Sequence, residues 1–150
     1  MEKIEVPIFY QNFHAKPNES LYSHTKHLLE NLERLKHKVS KEDFRLIALS
    51  CLYHDIGKMN PHFQARVKAP KTLRFDERKE IGHNVISYCI AKSLLKDVLD
   101  KKERNIVLYA ILNHHHYVNN REVLETKGAL IEDNMADLLP LFELKKPKQV

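Results

Sequence analysis

Cysteine, glycine and proline are scarce in this chain of 150 residues. Its 2 cysteines, Cys51 and Cys89, stand alone within apolar helical patterns. No CxxC pair is present, which excludes a zinc ribbon and a thioredoxin-like motif; both thiols are expected in the core, where free cysteine behaves as a small hydrophobe. Only 3 glycines and 6 prolines argue against a turn-rich sandwich or a linker protein. Long apolar runs are missing as well. The longest, Ile106 to Leu112, contains Tyr109 and falls far short of the roughly 20 residues that span a bilayer. The start, Met1-Glu2-Lys3-Ile4-Glu5, lacks the basic-then-apolar order of a secretion signal. A cytoplasmic protein that engages no membrane is therefore expected.

What is present is a globular balance, with 43% hydrophobic and 30% charged residues. The length suits one domain, residues 1–150, able to bury a core without disulfides. A net charge of +5 weakly favours a polyanionic partner. The 10 histidines are the sharper anomaly.

Apolar residues recur with a helical period along most of the chain. The first 18 residues read as mixed and extended, punctuated by Pro7 and Pro17. Leu21, His24, Leu28, Leu32 and Leu35 predict a helix over about 20–38. Ser40-Lys41-Glu42-Asp43 resembles a capping box ahead of Phe44, Ile47, Ala48, Cys51 and Leu52, and that second helix is expected to end near Gly57 as C-cap. Asn60-Pro61 reads as a new N-cap with proline at the first helical position, opening a short helix with Phe63, Gln64 and Val67. Further helices are expected over about 76–95, 101–113 and 129–142, and no alternating strand of convincing length appears. The fold class is all-α, five or so helices packed as an irregular bundle.

Four separate stretches present histidine at or beside a buried face. His24 lies within about 60° of Leu21 on the first helix, whereas His27 falls about 120° away and His37 on the opposite side. His54-Asp55 closes the second helix, His83 tops the apolar stripe of the fourth, and His114-His115 follow the fifth. A lone histidine on an apolar face is usually a hydrogen-bonded core residue. Five in one small core would leave many polar atoms to satisfy, and a metal satisfies them together. Imidazole with carboxylate suits Mn, Fe, Co, Ni or Zn better than Ca, and one Asp has the oxygens to bridge two cations. His14, His37, His62 and His116 are read as surface residues.

The ordered set His24, His54-Asp55-Ile56-Gly57-Lys58, Phe63-Gln64, Gly82-His83-Asn84 with Ser87, and His114-His115 resembles the HD-domain metal-dependent phosphohydrolases. In detail, HDxGK followed by FQ is similar to the CRISPR-associated HD nuclease. That is the DNA-degrading domain of the type I interference helicase-nuclease, which also exists as a stand-alone subunit. The resemblance covers about residues 20–116. It implies a centre of two divalent ions (Mn, Ni, Co, Fe or Mg) in which His24, His54 and Asp55 hold one ion and Asp55, His83, His114 and His115 the other. Asp55 and Lys58 would be the catalytic residues, with Lys58 near the scissile phosphate. Ions about 3.5–4 Å apart would activate a water and stabilise the oxyanion and the leaving oxygen. The family usually adds a further Asp to the first ion from beyond the tandem histidines. Either Asp133 or Asp137 takes that place, or the first ion lacks that ligand. Lys58 also has a plain reading as a cation at a helix C-terminus.

The function this implies is cleavage of DNA, preferably single-stranded, by a metal-dependent endo- or exonuclease in CRISPR interference. A separate helicase subunit and a guide-RNA surveillance complex would be its partners. Between Arg66 and Lys79, six basic residues face two acidic ones, a local balance of +4. Gln64, Arg66, Lys68, Lys71 and Arg74 are therefore candidate nucleic-acid contacts, with Phe63 and Phe75 as stacking surface. A solvated loop over core aromatics is the plain alternative. Lys145-Lys146-Pro147-Lys148 reads as a frayed tail. Two other functions stay open: a phosphohydrolase acting on nucleotides with the same ligands, and a degenerate HD module that binds without catalysis.

Overall fold

The computed structural model describes residues 4–115 and 120–143. His116 and the Lys145–Lys148 tail lie outside the described residues. The architecture is all-α, seven helices among the described residues with one minimal hairpin. They are α1 (Leu21–Arg34), α2 (Lys41–Tyr53), α3 (Pro61–Lys68), α4 (His83–Leu94), α5 (Lys101–Leu112), α6 (Asn120–Thr126) and α7 (Gly128–Glu143).

Four of these helices start where a side chain accepts an otherwise orphaned backbone N–H. Ser20 accepts from Ser23 N at 3.0 Å, Ser40 from Asp43 N at 3.0 Å, Asn60 from Phe63 N at 2.9 Å and Asp100 from Glu103 N at 2.8 Å. Pro61 sits at the start of α3, where its missing N–H has no helical partner to lose.

The buried apolar residues form two packed clusters. One joins Tyr10, Leu21, Leu52, Ile56, Val85, Ile86, Ile90 and Leu138; the other joins Leu46, Leu49, Ala91, Leu95, Val107 and Ile111. Helix α4 contributes to both, packing against the turn at Ile56–Met59, against α5 and against α7. Burying a side chain such as Ile90 fully contributes about 1.5–3 kcal/mol. The Tyr10 hydroxyl donates to Leu52 O at 2.9 Å, fixing the N-terminal segment to the end of α2. The two thiols are free and half-buried.

Several expectations need correction. The N-terminal segment is not simply extended. It forms a 3₁₀ turn at Ile8–Asn12 and a hairpin of β1 (His14–Lys16) with β2 (Glu19–Ser20). Helix α4 begins at His83 and not near Asp76, because Glu80 folds back to accept Asp76 N at 3.1 Å and to pair with Arg66. Helix α1 ends at Arg34, with a separate 3₁₀ turn at Lys36–Lys38, and α6 had no counterpart in the periodicity. Gly57 is not a left-handed C-cap, since no described glycine has a positive φ. It lies within the 3₁₀ turn Ile56–Met59, and its role is steric.

Candidate metal centre

Asp55 is the hub. Helix α2 stops at Tyr53, and Asp55 adopts φ −113°, ψ 10° before the 3₁₀ turn, which directs its carboxylate inward. The side chain is 4% exposed. Its Oδ2 lies 3.2 Å from His24 Nε2, 3.1 Å from His54 Nε2 and 3.2 Å from Lys58 Nζ. Its Oδ1 lies 3.2 Å from His83 Nε2 and 3.3 Å from His114 Nε2. His115 joins the Oδ1 side, where the donor atoms of Asp55, His83, His114 and His115 all lie within 4.8 Å of one another. The donor atoms of His24, His54 and Asp55 form a second such group.

Two of the rings are set by the same local device. His54 and His114 each follow the end of an apolar helix, and each Nδ1 lies 2.6 Å from the carbonyl three residues back, Cys51 O and Ile111 O. A carbonyl only accepts, so Nδ1 must donate. That fixes the tautomer and leaves each Nε2 with a lone pair directed at Asp55. His24 Nδ1 is held at 2.8 Å by Glu19 Oε1, a carboxylate backing a histidine. Periodicity had no means of finding Glu19, because the β1–β2 hairpin and not a helix face brings it to His24.

The remaining motif residues hold these elements together. A Cβ on Gly57 would fall 2.1 Å from His83 O and 2.9 Å from Ser87 N, so only glycine lets the HD turn approach the first turn of α4. Gly57 N donates to Ser87 Oγ at 2.7 Å. Asn84 Nδ2 donates to Leu112 O at 2.8 Å, pinning the end of α5 just before the tandem histidines. Gln64 commits its amide to backbone: it donates to His14 O at 2.9 Å and Lys58 O at 2.7 Å and accepts from His14 N at 2.9 Å.

The outer candidates divide. Arg66 pairs with Glu80 and stacks near Phe63 and Phe75, whereas Lys68, Lys71 and Arg74 are exposed. Asp133 and Asp137 lie exposed on α7 and belong to neither donor group. His27 is 65% exposed, and His37 and His62 are exposed. His14 departs from its surface reading, for its Nδ1 is buried.

The electrostatics of the centre are unbalanced without a cation. Burial pushes the Asp55 carboxyl up, but the surrounding imidazoles of His114, His24, His54 and His83 outweigh it and hold it far below the usual range. Asp55 Oδ1, His83 Nε2 and His114 Nε2 are buried without a hydrogen-bond partner among the described residues, although ring and carboxylate stand 3.2–3.3 Å apart. Neutral His54 and His114 turn lone pairs toward a carboxylate; fully protonated rings would crowd four cations plus Lys58 around one anion. Either state is unfavourable in a buried space. Divalent ions resolve both, and a donor set of imidazole and carboxylate fits transition metals.

Comparison with known proteins agrees with that geometry. The HD domain family matches residues 21–140, most of the chain. The chain belongs to the HD-domain family. Members of this family are metal-dependent phosphohydrolases. This HD domain is also 26% identical over 110 residues to the CRISPR-associated nuclease/helicase Cas3 of Methanothermobacter thermautotrophicus. The match covers 63% of this chain and 13% of that protein, so the HD-domain chain spans a small part of that relative's length. No solved structure gives a significant match. No described helix is long and apolar enough to cross a membrane.

Proposed function

We propose that this HD domain is a metal-dependent phosphodiesterase that cleaves single-stranded DNA within type I CRISPR interference, acting beside a separate helicase and a guide-RNA surveillance complex. The observation that carries the reading is the single Asp55 carboxylate facing imidazoles on both of its oxygens, two donor groups sharing one bridge. His24, His54 and Asp55 would hold one ion, and Asp55, His83, His114 and His115 the other. Divalent ions in such a site supply Lewis acidity and a water of lowered pKa.

The chain's own residues contribute the rest. Nδ1 contacts hold His24, His54 and His114 rigid, so the donor set needs little reorganisation. Lys58 Nζ, 3.2 Å from Asp55, sets a positive charge where a phosphoryl oxygen would gain negative charge. The exposed Lys68, Lys71 and Arg74 near α3 favour a polymeric anion over a mononucleotide.

The test is cleavage of single-stranded DNA with Mn²⁺, Ni²⁺, Co²⁺ or Mg²⁺ by the natural chain and by Asp55→Ala. Cleavage by the former and background by the latter is expected. Equal rates refute the proposal. Turnover of mononucleotides without strand scission moves it to a nucleotide phosphohydrolase.

A further inference from the structure

Phe75 lies between α3 and α4 and is 49% exposed. A single exposed aromatic needs no explanation. This one is anchored. The Arg66 guanidinium stands 5.5 Å from the ring centres of both Phe63 and Phe75. It is held by an ion pair with Glu80, itself only 8% exposed, whose second oxygen accepts Asp76 N at 3.1 Å. A largely buried ion pair contributes little net stability compared with apolar packing, but it fixes geometry. Here it sets a guanidinium against the face of an exposed ring.

That ring is connected to the metal centre. Phe63 meets His83 edge to face, with ring centres 5.9 Å apart. Three contacts, each under 6 Å, thus lead from a donor imidazole through Phe63 and Arg66 to Phe75. A shallow concavity of about 620 Å³ lies over Phe75, lined also by Arg74, Asp76, Glu77 and Arg78. Arg78 engages Asp76 at 3.3 Å, so one of the two acidic walls is neutralised locally.

We infer that Phe75 is a stacking platform for an unpaired base of the DNA strand, a few nucleotides from the phosphodiester at the metal centre, and that the Arg66–Glu80 pair positions it. The inference rests on the phosphodiesterase reading above and names the residue that selects unpaired strands. An aromatic face takes any base but needs that base out of a duplex stack. Arg66 then acts behind the ring and not on a phosphate.

The sequence contains no tryptophan, so Phe75→Trp introduces the chain's single indole. The full chain is loaded with Mn²⁺ and titrated with a cleavage-resistant phosphorothioate oligothymidine, with an abasic strand of equal charge, and with the duplex. Strong quenching by the oligothymidine and little by the other two is expected. Phe75→Ala is expected to weaken oligothymidine binding by roughly 5- to 150-fold while Phe75→Tyr retains it, as loss of one stacked base requires. Equal quenching by the abasic strand, or equal binding by Phe75→Ala, overturns the inference. Hydrolysis of bis(p-nitrophenyl) phosphate by the natural chain is measured in parallel. Its absence sinks the phosphodiesterase reading alone, because the quenching experiment needs no turnover.

Discussion

An ionised carboxylate accepts hydrogen bonds and donates none, and that fact organises the centre residue by residue. With Nδ1 of His54 and His114 donating to carbonyls, the neutral rings have only lone pairs left for Asp55. Glu19 does the same service for His24. Loss of such a backing carboxylate typically weakens metal affinity by about 10–100-fold. On the proposed two-ion reading, Glu19→Ala should therefore drop the bound metal from two ions per chain toward one at limiting concentration, measured by elemental analysis after dialysis. Unchanged stoichiometry and affinity would show that Glu19 is not coupled to the centre.

Proton competition should also differ between the two donor groups. The contact with Asp55 raises His24 above its ordinary value, so a proton competes with a cation for this ring more strongly. Burial lowers His83, and desolvation together with the neighbouring imidazoles lowers His115, so both keep their lone pairs into more acidic solution. On acidification cation binding at His24 should weaken before binding at His83, because the raised ring takes up its proton at higher pH. Metal content across a pH series checks this; simultaneous release would refute it.

At the scale of elements, the centre depends on how closely the HD turn approaches α4. The 2.1 Å clash at Gly57 is with backbone, which cannot rotate away. Gly57→Ala should cost about 1–3 kcal/mol, as overpacking does, and should separate Asp55 from His83. A chemical denaturation midpoint and metal stoichiometry read the two effects. Full stability with normal metal content would disprove the steric role.

Element boundaries were legible where a side chain caps a helix. Ser40 and Asn60 announce their helices because hydroxyl or amide, spacing and first turn are all local. The false start of α4 near Asp76 has the opposite cause. Glu80 reaches Arg66 fourteen residues back, a pairing that no helical period encodes.

At the scale of the whole molecule, metal binding and folding should be linked. The donor residues come from α1, the end of α2, α4 and the residues after α5, so cations held among them tie together elements distant in sequence. A ligand that binds only the folded chain stabilises it by about 2.7 kcal/mol at a hundredfold excess over Kd. Mn²⁺ should raise the thermal midpoint of the natural chain by several degrees and that of Asp55→Ala hardly at all, as scanning calorimetry would show. Equal shifts would mean that the ions bind elsewhere.

The sequence by itself determined the helical class, the caps and the set of histidines beside apolar faces, because each is written in short-range spacing. Only the tertiary structure decided that His24, His54, His83 and His114 meet one carboxylate, that Glu19 backs the first of them, that Gln64 bonds to backbone and that Arg66 pairs with Glu80. The convergence of His24, His83 and His114 on Asp55 depends on contacts between residues dozens of positions apart, formed when two buried clusters pack around α4. Periodicity says which face a helix buries; packing alone says what that face meets.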